Sequence, residues 1–311
     1  MARFGKGKPM DVQARLYLQK RLDLHSRHAE KKAKNVRGSR TTGKIHSLRT
    51  FNNYCASLAA AGDWLRQEHG LRHLSDMTPE QGQTYLERRA ADGISQRQLD
   101  TDRTTLQFVT GEGSLDRLVL PDAGDSPLPG RSYTPEQVHL VAASQSDRNS
   151  LSTLIAHQSG LRAHELLTLQ RSDEGSPSPH RTWRSDRFEG RNGVRYLVDG
   201  KGGLRREVLI PAALAERLET VRRDPITVVD RGIRYQSAYD IGGGNAWSRS
   251  FTDASKRALG WTTGGHGVRH SYAQERMREL QQRGHSYLTA RNIVSQELGH
   301  FRGDVVEIYL R

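Results

Sequence analysis

Six polar side chains in the second part of the chain are of the types needed to attack a phosphodiester with a phenol. Arg162 lies in Gly160-Leu161-Arg162-Ala163-His164-Glu165-Leu166, and Lys201 in Asp199-Gly200-Lys201-Gly202-Gly203. His266 and Arg269 belong to His266-Gly267-Val268-Arg269-His270. His300 ends Leu298-Gly299-His300, and Tyr309 follows it nine positions later in Glu307-Ile308-Tyr309-Leu310-Arg311. Guanidinium forks hold anionic oxygens, histidines move or donate protons, and a tyrosine hydroxyl can form a covalent intermediate.

Taken singly, each has an ordinary structural reading. A Gly-Leu-Arg before a helix is common, Lys201 is a solvated lysine at a turn, His300 closes a helix, and Tyr309 is a core aromatic with a wet hydroxyl. Metal readings are weaker. His164-Glu165 begins like a zinc-protease helix, but Thr168 stands where the second histidine belongs. His266 and His270, four apart, have no third ligand. Gly200-Lys201-Gly202 lacks the upstream glycine and the following Ser/Thr of a nucleotide-binding loop.

These residues need elements to hold them. Thr134-Pro135-Glu136-Gln137 starts a helix, helices continue to about Ser159, and another is expected over Ala163–Leu169. Val194–Val198 and Arg206–Ile210 read as strands around a glycine-rich hairpin turn that carries Lys201. Helices are expected at about Ala212–Arg223, Ala246–Leu259, Val268–Gln282, Leu288–Leu298 and Asp304–Tyr309. The stretch Asp173–Arg191, rich in Ser, Pro and Gly, reads as a loop or ragged strand. With two residues after it, Tyr309 is expected to be held by its own helix.

Upstream, residues 45–115 carry helical apolar spacing: Leu48, Phe51, Tyr54, Leu58 and Leu65, then a capped start at Thr78-Pro79-Glu80-Gln81. Residues 116–132, with Pro121, Gly124, Pro127 and Pro129, read as a linker to a second domain at 133–311. The formal net charge of the 311 residues is +13, and residues 1–44 alone, with thirteen Lys/Arg against three Asp/Glu, carry +10. That charge favours a nucleic-acid partner and reads as a basic arm. An incomplete apolar stripe (Val12, Leu16, Leu18, Leu22, Leu24) marks a helix from Asp11 to about Lys34. The one cysteine, Cys55, excludes an internal disulfide framework. No apolar run is long enough for a membrane span and no signal segment is visible, so a cytoplasmic protein is expected.

The order and spacing of Arg162, Lys201, His266-x-x-Arg269, Leu298-Gly299-His300 and Tyr309 resemble the tyrosine recombinase (phage integrase) family. The resemblance covers about residues 134–311, and residues 45–113 resemble that family's core-binding domain. It implies a mainly α fold with a small β-hairpin or sheet: a helical core-binding domain followed by an α+β catalytic domain. It also implies that DNA is cut and rejoined through a 3′-phosphotyrosine without metal, ATP or other cofactor. On this reading Arg162 and Arg269 clamp the phosphate, His300 adds a donor, Tyr309 attacks, His266 takes its proton, and Lys201 protonates the leaving 5′-oxygen. Glu165 and His270 hold the arginine and its helix. The implied partners are double-stranded DNA recombination sites, a homodimer per site and a tetramer in synapsis, with accessory DNA-bending proteins as an option. Integration or excision of a phage or mobile element is the implied setting. Alternatives are a type IB topoisomerase-like relaxing enzyme and a non-catalytic DNA-binding regulator. Two stretches depart from the pattern as apparent insertions: Asp173–Arg191 and the region around Gln281–Ser286.

Overall fold

Apolar residues four apart open the first unit. Helix α1 (Met10–Gln19) buries Met10, Ala14 and Leu18, the stripe that a 3.6-residue repeat places on one face. It packs on α2 (Leu48–His69), whose Ser47 hydroxyl caps Thr50 N at 3.1 Å and whose end is set by Gly70 at φ 64°. Gly62 permits the close crossing, since a Cβ there would stand 2.9 Å from Met10 Sδ. Met10 and Leu18 each contribute about 2 kcal/mol by burial, enough to hold a 10-residue helix that is marginal alone. Helices α3 (Pro79–Ala91, capped by Thr78 and Gln81) and α4 (Gln96–Thr110) complete the bundle. A buried carboxylate, Asp102, ties it together, accepting from Ser57 Oγ and Gln98 Nε2 at 2.7 Å each and from Arg89 Nε at 3.3 Å.

This computed structural model describes residues 8–23, 43–121 and 129–311, and contacts divide the chain into Met1–Ser126 and Pro127–Arg311. The expected basic arm over 1–44 is revised in part. Its residues Met10–Gln19 belong to the core of the first unit, because their apolar face has a partner in α2. The expected helix ends at Gln19 rather than Lys34; residues 1–7 and 24–42 lie outside the described residues. The expected linker also starts inside the bundle, where Arg117 grips Asp100 at 2.9 and 3.0 Å and Leu120 N donates to Gln96 Oε1.

The second unit is the expected mainly helical fold with small antiparallel sheets. Helix α5 (Pro135–Ala143) packs on α6 (Asp147–Ser159), and α6 packs on a three-stranded sheet of β1 (Gln170–Arg171), β2 (Val194–Asp199) and β3 (Arg205–Ile210). Strands β2 and β3 pair from Val194↔Ile210 to Asp199↔Arg205, and their turn carries Lys201. Next come α7 (Ala212–Thr220), β4 (Arg222–Asp230), β5 (Ile233–Tyr239) and α8 (Gly244–Leu259). Helices α9 (Gly267–Gln282) and α10 (Tyr287–Glu297) bury a second cluster with the 3₁₀ segment Gly303–Tyr309.

Three expectations change. The stretch Ala163–Leu169 is only a 3₁₀ turn over Glu165–Thr168, because Glu165 bonds back to Arg162 N and is then buried. Gly303–Tyr309 is 3₁₀ rather than α. Hairpin β4–β5 has no counterpart in the sequence reading. Its two-residue loop, Arg231-Gly232, has φ of 50° and 79°, the twin positive values of a type I′ turn.

Candidate active site

Arg162 is placed by the end of α6. Gly160 adopts φ 62°, where its N–H closes the helix on Ala156 O. A Cβ at Gly160 would also meet Tyr272 Cδ1 at 2.7 Å and Leu298 Cδ2 at 2.8 Å. Glycine is therefore required both by conformation and by space. The chain turns there, and Arg162 leaves the helix end facing α9 and α10. Its Nη1 and its backbone N both donate to Glu165, at 2.8 Å each.

Glu165 is fully buried and serves more than Arg162. Arg206 Nη2, from β3, donates to its Oε2 at 2.8 Å, and Arg269 Nη1 stands 3.8 Å away. Burial pushes the Glu165 carboxyl up, but Arg206, Arg162 and Arg269 outweigh it and hold the group well below the usual carboxylate range. One carboxylate against three guanidiniums leaves a net +2. The excess registers on Arg269, whose pKa falls to about 10 through burial first and then Arg162.

Arg269, in the first turn of α9, has no exposure. Its Nη1 donates to Gly160 O, its Nη2 to Leu298 O, and its Nε to Tyr309 Oη at 3.4 Å. It therefore ties together the segments that carry Arg162, His300 and Tyr309. Each Nη keeps a second hydrogen for an incoming anion.

His300 follows Gly299, which at φ 75° turns the chain out of α10. Arg162 Nη2 lies 3.1 Å from His300 Nε2. A guanidinium only donates, so Nε2 accepts and the ring proton is assigned to Nδ1. Burial, then Arg269 and Arg162, lowers the His300 pKa to about 3. Tyr309 is 6% exposed, with Oη 3.5 Å from His300 Nε2. Burial pushes its phenol up, but Arg269 and Arg162 outweigh it, so the net shift is downward.

The six expected residues divide by position. Arg162, Arg269, His300 and Tyr309 converge around one point. His266 caps α9 and its ring centre is 5.8 Å from that of Tyr309, so His300 rather than His266 is the histidine in reach of the phenol oxygen. His266 is exposed to solvent, and its pKa is lowered by packing of its ring and by Arg269. Lys201 is exposed on the β2–β3 turn and lines a pocket of about 160 Å³ with Arg162, Leu204, Arg206, Gly299 and His300. Among the described residues no group of three or more His, Cys, Asp or Glu side chains is arranged to hold a metal ion. No helix among them is long and apolar enough to cross a membrane.

Sequence reasoning missed Arg206, since an arginine inside a strand carries no motif. It also missed what the segment Asp173–Arg191 does. Phe188 N donates to Glu297 Oε1, Arg184 N to Gln296 Oε1, and Trp183 packs on Phe301 at 5.0 Å. The segment thus braces the end of α10, on both sides of His300. The apparent second insertion is the short turn between α9 and α10, and it bonds to the same segment through Arg283 and Gly190 O.

No family profile matches the sequence, and no curated protein does. Solved structures are similar. The XerH site-specific recombinase bound to its difH substrate in a pre-cleavage complex aligns over 99% of this chain and 94% of its own, with TM-score 0.54 and 16% identity. The fold is that of the tyrosine recombinases. A lambda integrase (75–356) dimer bound to a COC′ core site aligns over 91% of this chain and 93% of its own, with TM-score 0.52 and 16% identity. The Tn1549 transposon integrase (82–397, Y379F) in complex with transposon right-end DNA covers 96% and 94%, with TM-score 0.53 and 15% identity.

Proposed function

We propose that this protein is a site-specific DNA recombinase that cleaves and rejoins strands through a 3′-phosphotyrosine, serving integration or excision of a mobile element. The observation that carries this reading is the convergence of the Tyr309 hydroxyl with Arg162, Arg269 and His300 in a pocket of net positive charge. Tyr309 Oη attacks the scissile phosphorus and the P–O5′ bond breaks. The two arginines donate to the non-bridging oxygens, where negative charge grows as the bond to Tyr309 forms. A phosphate in the pocket draws Arg162 Nη2 off His300 Nε2 and onto its own oxygen, and the lone pair so freed, 3.5 Å from the phenol oxygen, takes the Tyr309 proton, with His266 at the rim as the second proton carrier. Lys201 gives a proton to the departing 5′-oxygen. Attack by a 5′-hydroxyl of another strand reverses these steps and frees Tyr309. No cofactor enters this scheme.

The partner is double-stranded DNA carrying recombination sites. The likeness to a dimer on a core site supports one dimer per site, and exchanging four strands between two duplexes calls for four copies of the pocket. The test is a duplex built from the repeats flanking the gene, nicked so that the cleaved 5′ fragment diffuses away. A covalent protein–DNA band is expected, and Tyr309→Phe abolishes it. A band that persists in that variant rejects Tyr309 as nucleophile; no band from the unaltered protein on any flanking repeat rejects the reading.

A further inference from the structure

Arg206 is fully buried on β3, yet only one of its three guanidinium nitrogens has a partner: Nη2, on Glu165 Oε2 at 2.8 Å. Nε and Nη1 have none. A buried charged donor left unpaired is costly, and such groups persist where something outside the resting structure completes them. The residue lies beside two parts of the site. Through Glu165 it is joined to Arg162. On the other side its Cδ and Nε lie against Gly299, where an added Cβ would stand 2.9 and 3.0 Å from them. Gly299, in its left-handed conformation, sets the turn that presents His300. Arg206 also lines the pocket of about 160 Å³ with Arg162, Lys201 and His300.

We propose that Arg206 is a positioning residue of the phosphate pocket, dividing Glu165 with Arg162 so that Arg162 Nη2 stays turned toward the scissile phosphate, and supplying one of the pocket's two uncompensated charges. This rests on the recombinase reading. The geometry gives the division its form. Glu165 Oε2 takes Arg206 Nη2 and the Arg162 backbone N, while Oε1 takes Arg162 Nη1. With Arg206 gone, Oε2 is underused, and the Arg162 guanidinium can close on both oxygens as a bidentate pair. Its Nη2 would then turn away from His300 and from the phosphate. The pocket's net charge would drop from +2 to +1. An anionic phosphate therefore depends on Arg206 through charge and through Arg162, although Arg206 itself has no surface exposure.

The test compares two linkages at the same site in the full chain: the natural phosphodiester, and a methylphosphonate in which a neutral methyl replaces one non-bridging oxygen. Covalent adduct formation is timed for the unaltered protein, Arg206→Met and Arg206→Lys. On the phosphodiester, Arg206→Met is expected to be slower by roughly tenfold to a hundredfold, below the roughly hundredfold to thousandfold lost with a donor that touches the oxyanion directly, because Arg206 acts through Arg162, with Arg206→Lys between the two. On the methylphosphonate, the Met variant's deficit should shrink to about threefold or less, since the charge it served is gone. Because each variant is compared with itself on two substrates, a reduced folded fraction cancels. An equal deficit on both linkages would make Arg206 a fold residue only and overturn the proposal. Absence of any adduct from the unaltered protein would instead reject the recombinase reading on which the proposal depends.

Discussion

Replacing Glu165 by Gln perturbs the group on which the site's arginines depend. The fully buried carboxylate accepts three hydrogen bonds at 2.8 Å and faces a third guanidinium at 3.8 Å. The amide keeps one acceptor oxygen, turns an NH2 toward guanidinium donors, and leaves three positive charges uncompensated. Removing one partner of a buried pair costs about 3–5 kcal/mol, against a typical domain stability of about 5–15 kcal/mol. With a urea slope of about 2 kcal/mol per molar, the midpoint should fall by roughly 2 M. Tryptophan fluorescence follows the right unit, because Trp183, Trp247 and Trp261 lie in Pro127–Arg311 and Trp64 in the other. The pH dependence gives a second check. Glu165 is held below its ordinary range, so its contribution is complete above the unfolded value of about 4.3 and is lost as pH falls through the folded one. The gap between Glu165→Gln and the unaltered protein should be constant from about pH 5 to 8 and narrow below about 4.3. A midpoint shift under about 0.5 M at neutral pH, or a gap that widens in acid, would refute the view that one carboxylate holds the arginine cluster.

Three further outcomes are expected. Lys201→Ala should slow cleavage of an ordinary phosphodiester, and a 5′-thio leaving group, which departs without a proton, should restore most of the rate; no restoration would remove Lys201 as the acid. His270 and His300 are held neutral, at about 4 and about 3, so the unfolded chain binds protons first as pH falls below about 6.5, and stability should decline from there with a slope that the double replacement by Gln flattens. An unchanged slope would mean these rings titrate normally in the folded protein. Neutralising Arg27, Lys31, Lys32, Lys34, Arg37 and Arg40 should reduce the salt dependence of DNA binding, since each lost phosphate contact lowers the log–log slope by about 0.9; an unchanged slope would leave that basic stretch without a part in binding.

The mainly helical plan could be read from the sequence because its signals are local. The Thr78/Gln81 and Thr134/Gln137 capping boxes and the glycine-rich β2–β3 turn each announce an element within four or five residues. Arg162, Arg269, His300 and Tyr309 were also legible, since motifs with fixed spacing flank them. What escaped depends on distance. Arg206 gains meaning only when β3 folds against Glu165, 41 residues away. The bracing of α10 by the Asp173–Arg191 segment rests on pairs more than a hundred positions apart, such as Phe188 with Glu297. Proposing His300 beside the expected His266 as proton acceptor for Tyr309 rests on the 3.5 Å between His300 Nε2 and the phenol oxygen, a distance that spacing along the chain does not give. The hairpin β4–β5 was the exception: Arg231-Gly232 between Ile226-Thr227-Val228-Val229 and Ile233-Arg234-Tyr235 was a local signal, and it was overlooked.

The most direct measurement is to trap the adduct on a strand labelled on either side of the nick, digest both protein and DNA, and locate the nucleotide by mass spectrometry. The nucleotide should lie on the C-terminal peptide containing Tyr309, joined through a 3′-phosphate, with a free 5′-hydroxyl on the released fragment. A nucleotide on any other residue, or one joined through its 5′-phosphate, would contradict the account.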